Sequence, residues 1–385
     1  MKIVRVNSRF TPPGGVVANI VETGRRMRAA GDDVVVYASN VDVSSAKERR
    51  MDYSTEVEGL PVRRFPQRDQ LIPPFRWPWL TGLIGALAES GADVIHAHVH
   101  RMPHVLEAAA ASQRSGIPLV VSLSYHPAHQ HEPFLKRSMI RMADLGFGRT
   151  AYRVARALIV ETRFEAGLVA GFAPPDRIRV IPPGIDLSEW ETPETDVARG
   201  LPIPDEYFLY TGRIARDKGL EHLIAAIARL SDSERRPLVL MGYDWGDRAR
   251  LEELARGLGV AGSVIFLGRV ADRSAFRAVM RGARALVLPS EWEAYGFVLM
   301  DAMAARTPIV ASRVGAIPEA LDGGAIGLMV PYGDAEGLAN ALRTVLEDPA
   351  GARTRVDRGW EKVRRMDWTE TTRRMRALYE EVARA

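Results

Sequence analysis

Two cations five residues apart, Arg213 and Lys218, follow the apolar run "YFLYTG" and flank a turn that opens a helix at about Gly219. A helix N-terminus presents unpaired N–H groups and a partial positive charge. Two cations beside it make a site for a diphosphate. The bland alternative is a strand–helix turn with solvated basic residues. A second strand-like run, "RALVLPS", leads into "EWEAYGFVLMDAMA", where Glu293 stands in the loop and Ala294, Tyr295, Gly296 and Phe297 read as a helix start. Gly296 lets backbone approach a ligand closely. Asp301 lies eight residues after Glu293. Helical side chains lean towards the N-terminus, so Asp301 is expected to point back at the ligand. Carboxylates facing a diphosphate pocket suit sugar hydroxyls, which they accept in pairs. Capping by Glu293 with a solvated Asp301 is the alternative.

A third group is "DVIHAHVHRMPH", in which His96, His98 and His100 alternate. On a strand such residues share a face, and three imidazoles on one face suit a metal. The chain turns towards a helix at about Pro103, however, so the alternation is expected to stop near the strand end.

These residues need strands and helices to position them, and the pattern supplies both. Val/Ile/Leu-rich runs without polar alternation ("KIVRVN", "DDVVVYAS", "PLVVSLS", "PLVLMG", "SVIFLG", "PIVAS") alternate with helical patterns throughout. That is the signature of buried parallel sheets covered by helices, an α/β doubly wound class. In such folds ligands bind beyond the C-terminal ends of strands, where all three groups fall.

The chain has 385 residues, which favours two domains. The Pro- and acid-rich stretch 182–206 reads as the boundary. The expected division is 1–186 for an N-terminal domain, 187–203 for a linker, 204–366 for a C-terminal domain and 367–385 for a helix packing back on the first domain. There is no cysteine, which removes thiolate chemistry and Cys-based zinc. The opening "MKIVRVNSRF" reads as a strand and no apolar run spans a bilayer, so a cytoplasmic protein is expected, at most peripheral to a membrane. The net charge is +4; residues 1–186 carry 24 basic and 18 acidic side chains, +6, and the remainder 28 and 30, −2. A mildly basic first half suits an anionic acceptor or an anionic membrane surface. No dense basic stripe with interleaved aromatics argues for nucleic acid.

Taken together, "GRIARDKGL", "PSEWEAYGFVLMDAMA" and "SRVGAIPEAL" resemble the C-terminal signature of the family 4 glycosyltransferases. The stretches "PPGGVVANIVETGRRMRAAGDDVVVYAS", "DVIHAHVHR", "LVVSLSYHP" and "RVIPPGID" resemble its N-terminal half in the expected order. The resemblance implies a GT-B fold, two Rossmann-like domains facing across a cleft, and a retaining transfer of a hexosyl group from a nucleotide diphosphate sugar to an acceptor hydroxyl. It implies that Arg213 and Lys218 hold the diphosphate and Glu293 the donor sugar. The amides of Ala294, Tyr295, Gly296 and Phe297 contact sugar and phosphate, and Asp301 the ribose. Gly14 and Gly15 close over the diphosphate, and His126 lies beside the sugar.

Catalysis is then expected of Glu293, His126, Arg213 and Lys218. No metal and no cofactor is implied, the cations and helix ends standing in for a divalent ion. His98 and His100 are expected in the acceptor pocket. One departure is plain: the family has Glu where this chain has Asp301, one methylene shorter.

UDP-sugar is the favoured donor, then GDP-mannose and ADP-glucose. Acceptors under consideration are a lipid-linked glycan, a polyol phosphate or an aminocyclitol; the resemblance leaves the oligomeric state unknown. Two alternatives stay open: a nucleotide-sugar epimerase of the same fold, and a membrane-surface or partner-binding protein. The second is carried by Phe134–Arg156, where Lys136, Arg137, Arg141, Arg149, Arg153 and Arg156 interleave with apolar residues.

Overall fold

The computed structural model describes residues 1–10, 15–42, 49–50, 55–72, 75–127, 133–191 and 200–384. The chain divides into two compact units, Met1–Gly184 with Trp368–Ala385, and Ile185–Asp367.

In the first unit β1 (Lys2–Val6), α1 (Gly15–Ala29), β2 (Asp33–Ser39), β3 (Leu60–Phe65), β4 (Val94–His98), β5 (Leu119–Ser122), α2 (Phe134–Arg149), β6 (Ala157–Val160) and β7 (Ile178–Val180) follow in chain order. The strands form one sheet in the order β7-β6-β5-β4-β1-β2-β3, all parallel, with the short antiparallel strand Glu56–Val57 at its edge. Helices cover both faces, which is why the strands read as unbroken apolar runs: β6 is buried at every residue and β1 at all but its first. Strand order reverses at β1, so the crevice for a ligand opens beyond β1 and β4.

The second unit contains α3 (Leu187–Glu191), β8 (Phe208–Thr211), α4 (Leu220–Ala228), β9 (Leu238–Met241), β10 (Val264–Gly268), α5 (Arg273–Gly282), β11 (Ala285–Leu288), α6 (Phe297–Ala305), β12 (Ile309–Ser312) and β13 (Leu328–Val330). Its parallel sheet runs β10-β9-β8-β11-β12-β13 and reverses between β8 and β11. The Arg213–Lys218 turn follows β8 and the Glu293 loop follows β11, so the reversal places both motifs at one crevice.

The linker boundary differs from the sequence reading. The segment expected as linker over 187–203 begins with the helix α3, whose Trp190 is buried and packs against Phe276 of α5 at 6.4 Å between ring centroids. Residues 187–191 therefore belong to the second unit, which starts at Ile185. Composition misled because the Pro and acidic residues surround one tryptophan that anchors the segment. The helix α7 (Trp368–Arg384) belongs to the first unit. Its Met375, Leu378, Tyr379 and Val382 share a buried cluster with Ile3, Val34, Val94 and Val120.

Candidate active site

The second unit brings Arg213, Lys218 and Glu293 into a single network. Lys218 Nζ donates to Glu293 Oε1 at 2.7 Å, and Ser290 Oγ donates to the same oxygen at 2.7 Å. Arg213 donates to Asp217 at 3.0 Å, and its guanidinium lies 4.9 Å from the ring centre of Trp245. The backbone is shaped to allow this. Gly219 caps α4 at φ 62°, and a Cβ there would stand 2.3 Å from the carbonyl oxygen of Pro289. Only glycine tolerates that conformation and that approach between the two loops. Gly296 caps α6 at φ 79°, so the first turn of α6 begins at Phe297, within the stretch read as a helix start. The Tyr295 side chain is buried and packs on Phe297 at 5.3 Å, which leaves the backbone of Ala294 to Phe297 as this loop's polar surface.

The first-turn amides of α4 and α6 and the two cations give this crevice a positive character. Its own carboxylates, Asp217 and Glu293, pair with these cations. Asp301 differs from its expected setting. It retains some exposure, yet protein surrounds it, and burial pushes its carboxyl up to about 7. The charges acting on it are Arg273 of α5, which opposes that rise, and Glu189 of α3, which adds to it. Near neutral pH it therefore carries a proton part of the time and can donate as well as accept.

In the first unit the histidines separate. His96 is fully buried with both ring nitrogens engaged, Nδ1 with the Tyr379 hydroxyl at 2.5 Å and Nε2 with Ser122 Oγ at 2.8 Å. His98 is buried and its Nε2 has no partner among the described residues, while its carbonyl oxygen accepts from His104 Nε2 at 2.7 Å. Alternation ends at Val99, whose φ is 76°. His100 thus turns into a buried cluster, where one ring nitrogen meets the Tyr152 hydroxyl and the other meets Asp144 at 2.7 Å. Burial lowers the pKa of His96 and His98 well below the usual imidazole range and takes His100 to about 4.

One histidine expectation, that for His100, changes here. A three-histidine metal face is not formed, because His96 and His100 spend both nitrogens on protein partners. His100 has no nitrogen left for an acceptor; it anchors α2 through Asp144. Arg101, at φ 59°, also binds Asp144 at 3.2 Å and donates to the carbonyl oxygen of His126. Ser124 stands at φ 44°. Three non-glycine residues in left-handed conformations thus cluster past β4 and β5, each costing on the order of 1 kcal/mol. His126 is exposed. Gly15 is the first residue of α1, and Gly14 lies outside the described residues.

Sequence reasoning missed Ser290, Trp245, Arg101 and Asp144. Asp144 had a signal: it is the single acid among six cations between Phe134 and Arg156.

The model for glycosyl transferases group 1 matches residues 192–363, and that for glycosyltransferase family 4 matches residues 13–189. A D-inositol 3-phosphate glycosyltransferase of Acidothermus cellulolyticus is 30% identical, over 95% of this chain and 85% of its own length. The chain belongs to glycosyltransferase family 4. A glycogen synthase of Mycobacterium tuberculosis is 28% identical over 92% of the glycosyltransferase chain and 88% of its own. Among solved structures, the Anabaena protein HepE in complex with UDP-glucose superposes with a TM-score of 0.79 at 21% identity, covering 99% of this chain and 100% of that one. A sucrose-phosphate synthase from Thermosynechococcus elongatus gives 0.76 at 24% identity, covering 99% and 98%. The fold of the glycosyltransferase is therefore GT-B. Family membership also retires the epimerase and the purely non-enzymatic alternatives.

Proposed function

We propose that this glycosyltransferase moves a hexosyl group from a UDP-sugar to an acceptor hydroxyl with retention of configuration and without a metal ion. The observation that carries the reading is the Lys218–Glu293 contact at 2.7 Å, with Arg213 held on the neighbouring Asp217, which supports assigning diphosphate and donor sugar to adjoining side chains. As the bond between sugar and diphosphate breaks, negative charge builds on the phosphate oxygens. Arg213, Lys218 and the N-termini of α4 and α6 stabilise that charge. Glu293, steadied by Ser290, accepts from sugar hydroxyls. Asp301 takes the ribose hydroxyls through a side chain one methylene shorter than the family's glutamate. The acceptor attacks the face the diphosphate leaves, and a leaving phosphate oxygen takes its proton, so no carboxylate nucleophile is needed.

UDP is favoured because HepE was solved with UDP and UDP-glucose. A polyol phosphate is the favoured acceptor class, because several relatives at 25–30% identity are D-inositol 3-phosphate glycosyltransferases. In the first unit His98, at the end of β4, is assigned to the acceptor side and the exposed His126 to the donor sugar. We place the enzyme in the cytoplasm. Calorimetry of the full chain with UDP, GDP and ADP in EDTA tests the donor site. UDP is expected to bind tightest. Tighter binding of GDP would redirect the reading to a GDP-mannose donor, and binding of none would end it.

A further inference from the structure

The helix α2 carries a surface that the transfer reaction does not use. Phe134, Leu135, Met142 and Leu145 are 83%, 71%, 64% and 45% exposed, half of the eight large exposed hydrophobics among the described residues. At 3.6 residues per turn the four fall within a sector of about 100°. Isolated exposed apolar residues are ordinary, but a stripe along one helix face is not. Arg141 and Arg149 are exposed on the same helix, and Arg153 and Arg156 just beyond it.

The inward face is fixed. Ile140, Asp144, Phe147 and Gly148 are buried, with Asp144 bound to His100, Arg101 and the Tyr125 hydroxyl. A Cβ at Gly148 would stand 2.1 Å from the carbonyl oxygen of Phe172, so the helix sits directly on that backbone. The outward stripe therefore cannot roll into the core.

We infer that the outward face of α2 docks on an anionic lipid surface. Charge complementarity selects this occupant: the sole acid of the segment Phe134–Arg156 is turned inward, so the outer face of this segment carries cations and apolar side chains and no carboxylate. A face of that kind lies in the interface plane with its apolar side chains among the acyl chains and its cations at the headgroups. No described helix is long and apolar enough to cross a membrane, which leaves surface contact. The inference stands apart from the donor assignment.

The test is sedimentation of the full chain with vesicles of phosphatidylcholine alone or mixed with phosphatidylglycerol. Binding is expected only to the mixed vesicles and is expected to weaken as salt rises. The double variants Phe134→Ser/Leu135→Ser and Arg141→Gln/Arg149→Gln should each reduce it by about tenfold or more while keeping UDP affinity and circular dichroism. Should one variant misfold, the other decides. Equal binding to neutral vesicles, no binding to either, or full binding by a folded variant would overturn the inference. So would a self-associated species, seen without vesicles, that the Phe134→Ser/Leu135→Ser variant dissolves.

Discussion

At the scale of single residues, the donor assignment separates two roles that static contact merges. Lys218 and Glu293 touch each other, yet one is assigned to phosphate and the other to sugar. Lys218→Ala is expected to weaken UDP binding about tenfold to a hundredfold, the worth of a charge-assisted hydrogen bond. Glu293→Gln is expected to leave UDP affinity within about threefold and to lower transfer about a hundredfold, since a neutral amide loses an acceptor that matters in the transition state. Calorimetry and a transfer assay on the same preparations read the two effects; equal loss of UDP binding in both variants would refute the split. These residues were legible because each stands beside its own glycine-capped helix start, a local pattern. Ser290 was not singled out, although it is three residues from Glu293, because its role depends on a rotamer that reaches the carboxylate. The orphan nitrogen of His98 was legible only as a histidine, its neighbour Val99 giving no hint in sequence of the reversed φ that removes His100 from the face.

The elements were legible where they are long or buried on both sides. The strands of both parallel sheets stand out as β-branched runs. The antiparallel pair Gln67–Ile72 and Phe75–Leu80 did not, since Pro78 within a run argues against a strand unless it lies on an edge or in an isolated ribbon. Polar contacts as well as packing hold the helix α7. Its Tyr379 is buried, and the hydroxyl meets His96 Nδ1 at 2.5 Å and the fully buried Arg5 at 3.4 Å. Arg5 also donates to the Ile20 carbonyl at 2.9 Å and to Thr23 Oγ1 at 2.6 Å. Tyr379→Phe keeps the packing and leaves two buried groups short of a partner, so it should cost about 1–3 kcal/mol in urea denaturation. Arg373→Ala, on the outer face of the same helix where the arginine pairs only with Glu370 among described contacts, should leave the urea midpoint essentially unchanged. Equal effects would mean that α7 is held by its surface.

For the whole molecule the ionisable groups set a window of stability. Burial raises the carboxyls of Glu107, Glu165 and Asp301 to about 7, and burial together with the Glu165 charge raises that of Glu161. These groups hold protons in the folded state that the unfolded chain releases above about 4.5, so their contribution is full below that pH and is lost as pH rises through 7. The buried histidines act oppositely. His96, His98, His100 and His104 stay neutral when folded and charge when unfolded below about 6.5, so stability falls as pH drops towards 4. The urea midpoint should therefore peak near pH 6 and decline on both sides, and Glu161→Gln should flatten the alkaline limb. A midpoint that climbs steadily from pH 6 to 8.5 would contradict this.

Overall division into two Rossmann-like bodies was readable from the restart of the strand pattern after Pro204. The closure of the first body by residues 368–384 was expected from the sequence as a helix packing back, although the tertiary contacts that fix it, such as Tyr379 on His96, are encoded in no local pattern. That closure has a consequence for biosynthesis. The second unit is an insertion within the first, so a ribosome must make 183 further residues, Ile185 to Asp367, before the segment that completes the first sheet's cover is available. At about 5–20 residues per second the nascent first unit waits roughly ten to forty seconds with Ile3, Val34 and Val94 uncovered. A nascent chain stalled just short of Trp368 is the species on which a chaperone would be expected to act.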